Sequence, residues 1–512
     1  MSTDNLAQQL EEKDLQIKQL QAQLDWFKRE LFGSKSERRE VHPDQLALFE
    51  SLQERLAPHD ERKTTVPEHK RGTRRTGDEV NDTGLRFTDE VPVEIIEQSV
   101  PELDGPNRDD YKIIDWRESR RLASVPGTHV VMLYRRPVVA RKDGRCIIEP
   151  NAPVGPLGHA QADVSFLAQM LIDKFCYHTP LYRQHQKLVD EGITLSRSTL
   201  DNWTHSAISL LKPLAQAVMD GVLGGKAIKI DETPIKAGKG KTKQGKGKMK
   251  QGWFWPVLGE QGDIAFHYSS SRGKQVLTDL LNDQFQGTVQ TDGYDVYARY
   301  FAEHEGIIHA LCWAHTRRTF LKAEESEPQK TRHILTLIQI LYRIERQLRE
   351  SGASDEEILK TRRRRSRRCV EKIFSWINEQ RQDPSLLPKS PFAKALNYAA
   401  ERETGLRVFL TDVWVALDTN DLERALRVIP MGKKNWLFCS SEVGAEHVAT
   451  IQTLLATCRV HGVNPFNYLV DVLQRIDQHP ASKVHELTPR EWQQRFADKP
   501  LRSPLYELRK TV

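Results

Sequence analysis

Three acidic residues stand where carboxylates could share divalent cations. Asp231 directly follows the apolar run Ala227–Ile230, which reads as a strand, and a further predicted strand, Gly287–Gln290, runs into Asp292. Glu423 lies on a predicted helix over Asp421–Val428. The first two are 292 − 231 = 61 residues apart, the second and third 423 − 292 = 131. Mg²⁺ takes hard oxygen ligands, keeps several waters and needs only one or two carboxylates per ion, so three converging acids suffice for two ions ~3.5–4 Å apart. One ion of such a pair activates the attacking oxygen and the other stabilises the leaving 3′ oxygen of an in-line displacement at phosphorus. Each acid taken singly has a plainer reading. An aspartate after a strand is ordinarily a turn or cap residue, and Asp292-Gly293 is common turn chemistry.

The elements around these acids favour the catalytic reading. Between the two aspartates lie two further predicted strands, Gly252–Leu258 and Ile264–Tyr268, and a helix, Lys274–Leu281. Three antiparallel strands, a helix and another strand is the order of an RNase H-like core, an α/β fold expected here over residues 223–462. The long gap before Glu423 fits a helical insertion at about 316–410. Basic residues cluster around this core. Lys236–Lys250 holds seven Lys and four Gly in fifteen residues without an acid, and is read as a mobile loop. Its Lys239, Lys241, Lys243, Lys246 and Lys248 are candidates for the DNA backbone; the plain alternative is a solvated hairpin tip. Arg317 and Arg318 face possible phosphates, as do Arg424, Lys433 and Lys434, and Trp436 is a candidate wedge or stacking residue. The run Arg362–Arg368 points all round a helix, so only part of it could meet one backbone.

Upstream, residues 157–222 read as helical. A helix over Pro180–Asp190, a break at Gly192, an N-cap at Ser196 and a second helix over Arg197–His205 resemble a helix-turn-helix. Arg197, Ser198, Thr199 and Asn202 would then reach base edges or phosphates. Residues 86–156 read as a small β-rich module with strands His129–Tyr134 and Pro137–Arg141. Residues 34–85 are a charged linker, and 1–33 carry a heptad through Leu6, Leu10, Ile17, Leu20, Leu24, Phe27 and Leu31, expected to form a coiled coil for self-association. A tail over 463–512 should hold two helices. The whole chain of 512 residues carries 76 − 70 = +6 charges, with 38% hydrophobic residues. Its six cysteines form no CxxC pair, and no apolar run is long enough to span a bilayer. A cytoplasmic protein, nucleoid-associated when bound to DNA, with no membrane partner is the expectation.

Eight short motifs, in order along nearly the whole chain, resemble transposases of the insertion-sequence sixty-six family. They are Leu31-Phe-Gly-Ser-Lys-Ser-Glu37, Pro180-Leu-Tyr-Arg-Gln184, Ser196-Arg-Ser-Thr-Leu200, Asp231-Glu-Thr233, Thr291-Asp-Gly-Tyr294, Cys312-Trp-Ala-His-Thr-Arg-Arg318, Asn420-Asp-Leu-Glu-Arg424 and Gly432-Lys-Lys-Asn-Trp-Leu-Phe438. The resemblance implies a DDE transposase with Asp231, Asp292 and Glu423 as its catalytic, metal-binding triad, using two Mg²⁺ or Mn²⁺ ions. It implies DNA partners (element ends and target), a homodimer or higher assembly through the coiled coil, and small accessory proteins from the same element. Two departures stand out. The family's usual Asp-Asn-Asn-x-Ala-Glu-Arg is here Asp418-Thr-Asn-Asp-Leu-Glu-Arg424, and the family's zinc module has lost its ligands. Only Cys146 lies in that region, with Pro101-Glu-Leu-Asp-Gly105 where a Cys pair belongs, so no zinc is expected. His309, Cys312 and His315 are one ligand short of a tetrahedral site and are read as structural. The alternative from another class is a non-catalytic or decayed DNA-binding protein using the helix-turn-helix and coiled coil. An RNase H-like nuclease without preference for element ends would share the acids.

Overall fold

The computed structural model describes residues 86–87, 91–99, 101–104, 108–125, 128–141, 147–158, 160–239, 249–281, 285–437, 439 and 441–506. All of them belong to one unit, Asp82–Val512. The heptad, the charged linker, Cys146, Lys241, Lys243, Lys246 and Lys248 lie outside the described residues, as does the side chain of Lys239.

The β-rich module is built on one long antiparallel hairpin. After the short β1 (Arg86–Phe87) and β2 (Val93–Glu97), β3 (Tyr111–Val125) pairs with β4 (Thr128–Arg141), and β5 (Ile147–Ile148) follows. The order is β2-β4-β3, with β5 also against β4. Two short strands separated at Arg135-Arg136, the second opening at Pro137, were expected, whereas one strand, β4, runs through all of these residues. The reason is local: β2 pairs with β4 only as far as Arg135 and β5 joins at Val139, so Pro137 has a neighbour on one side only and its missing N–H leaves no gap in a ladder.

Three helices come next: α1 (Val164–Phe175), α2 (Leu181–Asp190) and α3 (Arg197–Leu223). Gly192, at φ 79°, turns the chain after α2, and β6 (Ile193–Thr194) pairs with β1. Ser196 caps α3 by accepting from the Thr199 amide at 3.0 Å. The expected end at His205 is wrong by five turns, because the apolar stripe does not stop there. Leu200, Trp203, Ala207, Ile208, Leu211, Leu214, Val218 and Val222 continue at helical spacing and enter the main core. That burial outweighs the hydrogen bond lost at the internal Pro213.

The central sheet contains β7 (Ala227–Ile230), β8 (Thr233–Lys239), β9 (Met249–Gly259) and β10 (Ile264–Ser269), then, after α4 (Lys274–Leu281), β11 (Gly287–Thr291), and, after α5 (Asp295–Ala302), β12 (Ile307–Leu311). The order is β10-β9-β7-β11-β12, with β8 paired to β9. The β7-β9 and β9-β10 pairs are antiparallel, and β11 lies parallel to both β7 and β12. The loop expected from Lys236 to Lys250 is therefore shorter than anticipated: its ends are the strands of a hairpin. The alternation Thr233-Pro-Ile-Lys-Ala237, with Thr233, Ile235 and Ala237 buried, is the strand signal that the lysine count obscured.

A helical block follows β12: α6 (Trp313–Leu321), α7 (Pro328–Glu350), α8 (Asp355–Thr361), a π-helical turn (Arg362–Ser366), α9 (Arg367–Arg381), α10 (Pro391–Glu401) and α11 (Glu403–Arg407). It has its own core around Trp313, Phe320, Ile338, Phe374, Phe392 and Leu396. The chain then returns to the sheet with α12 (Asn420–Leu426), α13 (Val428–Trp436) and α14 (Glu442–Val460), and closes with α15 (Pro465–Arg475) and α16 (Pro489–Arg495). Helix α14 covers the free edge of β10 through side chains. Thr453 Oγ1 accepts from the Phe266 amide at 2.9 Å, while Thr457 Oγ1 accepts from the Ile264 amide at 3.1 Å and donates to its carbonyl at 3.0 Å. Thr457→Val keeps the shape but strands both backbone groups, so urea unfolding should show a loss of about 1–3 kcal/mol; an unchanged midpoint contradicts this role.

Candidate active site

Asp231 and Glu232 occupy a break in what is otherwise one strand. β7 and β8 share a single register on β9, Ile230 opposite Val257 and Thr233 opposite Phe254, so the two acids fall between them without a shift. The Asp231 amide still reaches the Pro256 carbonyl at 3.4 Å, and the Glu232 amide donates to Asp231 Oδ1 at 2.7 Å. Burial pushes the Asp231 carboxyl up to about 7; the Glu232 amide opposes this, and the charges of Glu232, Asp292 and Glu423 add to it.

Asp292 is held by a turn and by the helical block. Its Oδ1 accepts from the Tyr294 amide at 2.9 Å, and its carbonyl accepts from the Tyr398 hydroxyl at 2.8 Å. Gly293 has φ 93°, and a Cβ there would meet Arg402 Nε at 2.9 Å and the Tyr398 hydroxyl at 3.0 Å, so only glycine fits. Arg402 donates to the Gly293 carbonyl at 3.1 Å. Helix α10 thus fixes the turn that carries the second acid.

Glu423 rides on α12, which turns Leu422 and Leu426 into the core. Lys229 of β7 ties this helix to the first strand, reaching Asp421 Oδ2 at 2.6 Å and the Asp418 carbonyl at 3.3 Å. The Glu423 carboxylate, 24% exposed, lies 3.4 Å from Arg318 and 3.5 Å from His315, both on α6. Asp231 feels the charges of both Asp292 and Glu423. Among the described residues, no group of three or more His, Cys, Asp or Glu side chains is arranged to hold a metal ion. His309, Cys312 and His315 go separate ways: His309 bonds the Thr291 hydroxyl at 2.9 Å, Cys312 is buried at the start of α6, and His315 faces Glu423.

Sequence reading missed a second set of residues. The Glu232 side chain, only 2% exposed, accepts from Tyr297 at 2.5 Å and from Arg272 Nε at 3.0 Å. The Arg272 guanidinium lies 4.0 Å from the centre of the Tyr294 ring. Glu232 on the first strand is thereby clasped to the segment just after Asp292. Burial pushes its carboxyl up, while the Tyr297 and Arg272 hydrogen bonds pull the other way. Glu232 and Tyr294 stood inside the motifs, but partners 40 and 65 residues away made the link, and no local pattern marks such a pairing.

The remaining candidates are spread more widely. At the start of α3, Arg197, Ser198 and Asn202 are exposed and Thr199 half-buried, with the Ser198 and Thr199 hydroxyls each 2.8 Å from Ser196 Oγ. Arg317, Arg424 and Lys434 are exposed, and Lys433 donates to the Pro234 carbonyl at 3.3 Å. Trp436 does not stand free: its indole lies over Gly432 and packs, half-buried, against the main core. Arg362 is spent internally, whereas Arg363, Arg364, Arg365, Arg367 and Arg368 are exposed.

Comparison with known proteins identifies the family. Residues 159–447 match the Transposase IS66 family, residues 453–490 the IS66 C-terminal element and residues 19–95 the Transposase C of IS166 homeodomain. The chain belongs to the IS66 transposase family. Its relatives include two uncharacterized proteins of Sinorhizobium fredii (strain NBRC 101917 / NGR234). One, y4qI, is 31% identical over 77% of this chain and 74% of its own length; the other, y4hP, is 30% identical over 73% and 70%. A solved Drosophila P element transposase strand transfer complex is similar at TM-score 0.21 and 12% identity, over 69% of this chain and 92% of that one, too low to inform the fold. In this IS66-family chain the first matched segment contains Asp231, Asp292 and Glu423 together with the helical block between the last two. No helix among the described residues is long and apolar enough to cross a membrane.

The raised Asp231 carboxyl has a consequence for stability. The native state binds this proton more tightly than the unfolded chain, so its stabilising effect is complete below about pH 4 and is lost as pH climbs through about 7. In chelator-treated protein, Asp231→Asn should therefore melt several degrees above wild type at pH 8, with the gap narrowing by pH 5. A gap independent of pH would show that the shift is not present.

Proposed function

We propose that this chain is a DNA transposase that binds the ends of its own mobile element and catalyses divalent-metal-dependent strand cleavage and strand transfer. The observation that carries this reading is the carboxyl cluster: Asp231 is driven towards its neutral form by burial and by the charges of Glu232, Asp292 and Glu423. A fold gains nothing from like charges gathered out of water, and bound cations relieve them. The strand order β10-β9-β7-β11-β12, with only the first two pairs antiparallel, supports an RNase H-like core with Asp231 and Asp292 at the ends of adjacent parallel strands.

By donor chemistry, hard carboxylate oxygens without a thiolate, the set suits Mg²⁺ or Mn²⁺, and cation binding would have to draw the three side chains in from an arrangement that does not yet surround one point. Asp231, Asp292 and Glu423 would hold the ions, which when bound supply charge neutralisation and activation at the reacting phosphate. The chain's own residues orient the rest. Tyr398 and Arg402 keep the Asp292 turn in place, Lys229 keeps α12 beside β7, and Arg318 gives Glu423 a counter-charge. In the first step a water oxygen bonds to phosphorus and the 3′ oxygen leaves, taking up a proton; in the second the freed 3′-hydroxyl oxygen, giving up its proton, bonds to a target phosphorus and the target's own 3′ oxygen leaves. Both are in-line substitutions that need charge neutralisation rather than a covalent enzyme intermediate. The exposed start of α3, with Arg197, Ser198 and Asn202, is suited to a DNA groove. Dimerisation through residues 1–33 would bring two ends together, and accessory proteins of the same element would complete the complex.

Asp231→Asn, Asp292→Asn and Glu423→Gln should each abolish Mg²⁺- or Mn²⁺-dependent cleavage of element-end DNA, by at least ~10³-fold, while end binding in a gel-shift assay survives. Wild-type cleavage by any one variant removes that residue from the site. A wild-type chain that binds ends and never cuts would favour a non-catalytic DNA-binding protein.

A further inference from the structure

Residues 360–372 hold eight basic side chains and one acid. The structure divides them by role. Arg362 is 3% exposed; its guanidinium grips Glu345 at 3.0 and 2.7 Å and the carbonyls of Phe409 and Asp412 at 2.9 Å each. It anchors a π-helical turn in which the Arg367 amide bonds the Arg362 carbonyl. With Ser366, Cys369, Val370 and Ile373 also buried, that face is committed to the core. Arg363 and Arg367 then form one outward row and Arg364 and Arg368 the next, with Arg365 on the flank, all five exposed. None of these five side chains pairs with a carboxylate among the described residues.

Two like-charged i,i+4 pairs side by side cost a helix a few tenths of a kcal/mol each and gain the fold nothing. π-Helical turns, moreover, recur at functional positions. We infer that this arginine ledge is a second DNA-backbone surface, separate from the acids, which binds duplex away from the reacting phosphate. Its placement is rigid. Arg362 bonds the Asp412 carbonyl, and Asp412 Oδ2 accepts from Thr288 Oγ1 at 2.6 Å, near the start of β11. Asp292 follows the other end of that strand. The partner named here rests on the transposase reading; the exposed charge itself does not.

The test is DNA affinity measured against salt concentration in EDTA, so that no catalysis is involved. A variant with Arg363, Arg364, Arg367 and Arg368 all changed to Gln should bind element-end duplex with a log–log salt slope shallower by about 2 to 3.5, at ~0.9 per lost phosphate contact. Changing the same four to Lys should restore most of the slope, because charge rather than shape is being read. Thermal melting of the Gln variant should be no lower than wild type, since repulsion is relieved and no pair is broken. An unchanged slope overturns the inference, as does a variant that loses RNA binding while its DNA binding is intact. If the slope drops as expected but the wild-type chain never cleaves in Mg²⁺, the catalytic reading fails and the ledge stands.

Discussion

Asp231 is half-buried, within reach of the charges of Glu232, Asp292 and Glu423, and charges partly withdrawn from water repel one another more strongly than they would in bulk solvent. Each surrounding element is placed so as to hold that repulsion in check. The break between β7 and β8 presents Asp231 without disturbing the pairing on β9. Glu232 is neutralised in part by Arg272 and bonded by Tyr297, so the second acid of the pair is tied down rather than left to add to the field. Arg318 and His315 stand by Glu423. The cluster's members are tied through hydrogen bonds of separate elements: Lys229 to α12, Tyr398 and Arg402 to the Asp292 turn.

The helical block between β12 and α12 is part of that anchoring. It does not merely lengthen the path from Asp292 to Glu423. Tyr398 and Arg402 bond the Asp292-Gly293 turn, and Gln290 of β11 donates to the Ala416 carbonyl at 2.7 Å, just before the chain reaches α12. Trp313 joins the two ends of the block, its amide donating to Leu417 and its indole to Leu406. A distortion in this block would be felt at two of the three acids through these bonds.

Much of the central sheet was legible because its strands are apolar runs bounded by turn residues, and Lys274–Leu281 was readable to the residue. What escaped was set by tertiary context. β12 is short and holds His309, so it reads as an interrupted run. Helix α3 outlasts its predicted end because the core receives its stripe, and β4 crosses Pro137 because no strand pairs on its far side there. At the site, the acids could be proposed from their places in the strand order. The Glu232–Arg272 clasp could not, since it depends on which side chains the fold brings together. The arginine run was visible as charge, but only the structure separates the one internal arginine from the five outward ones.

The proposed site consists of three carboxylates, carried by different elements, that bind cations together. It is tested most directly by Mn²⁺ titration followed through the free-ion EPR signal, with an uncleavable element-end duplex bound to the full chain. About two ions should be taken up per wild-type chain, with a clear loss of uptake when Asp231, Asp292 or Glu423 is changed to its amide. Uptake that is absent in wild type, or that all three amide variants retain unchanged, would contradict it.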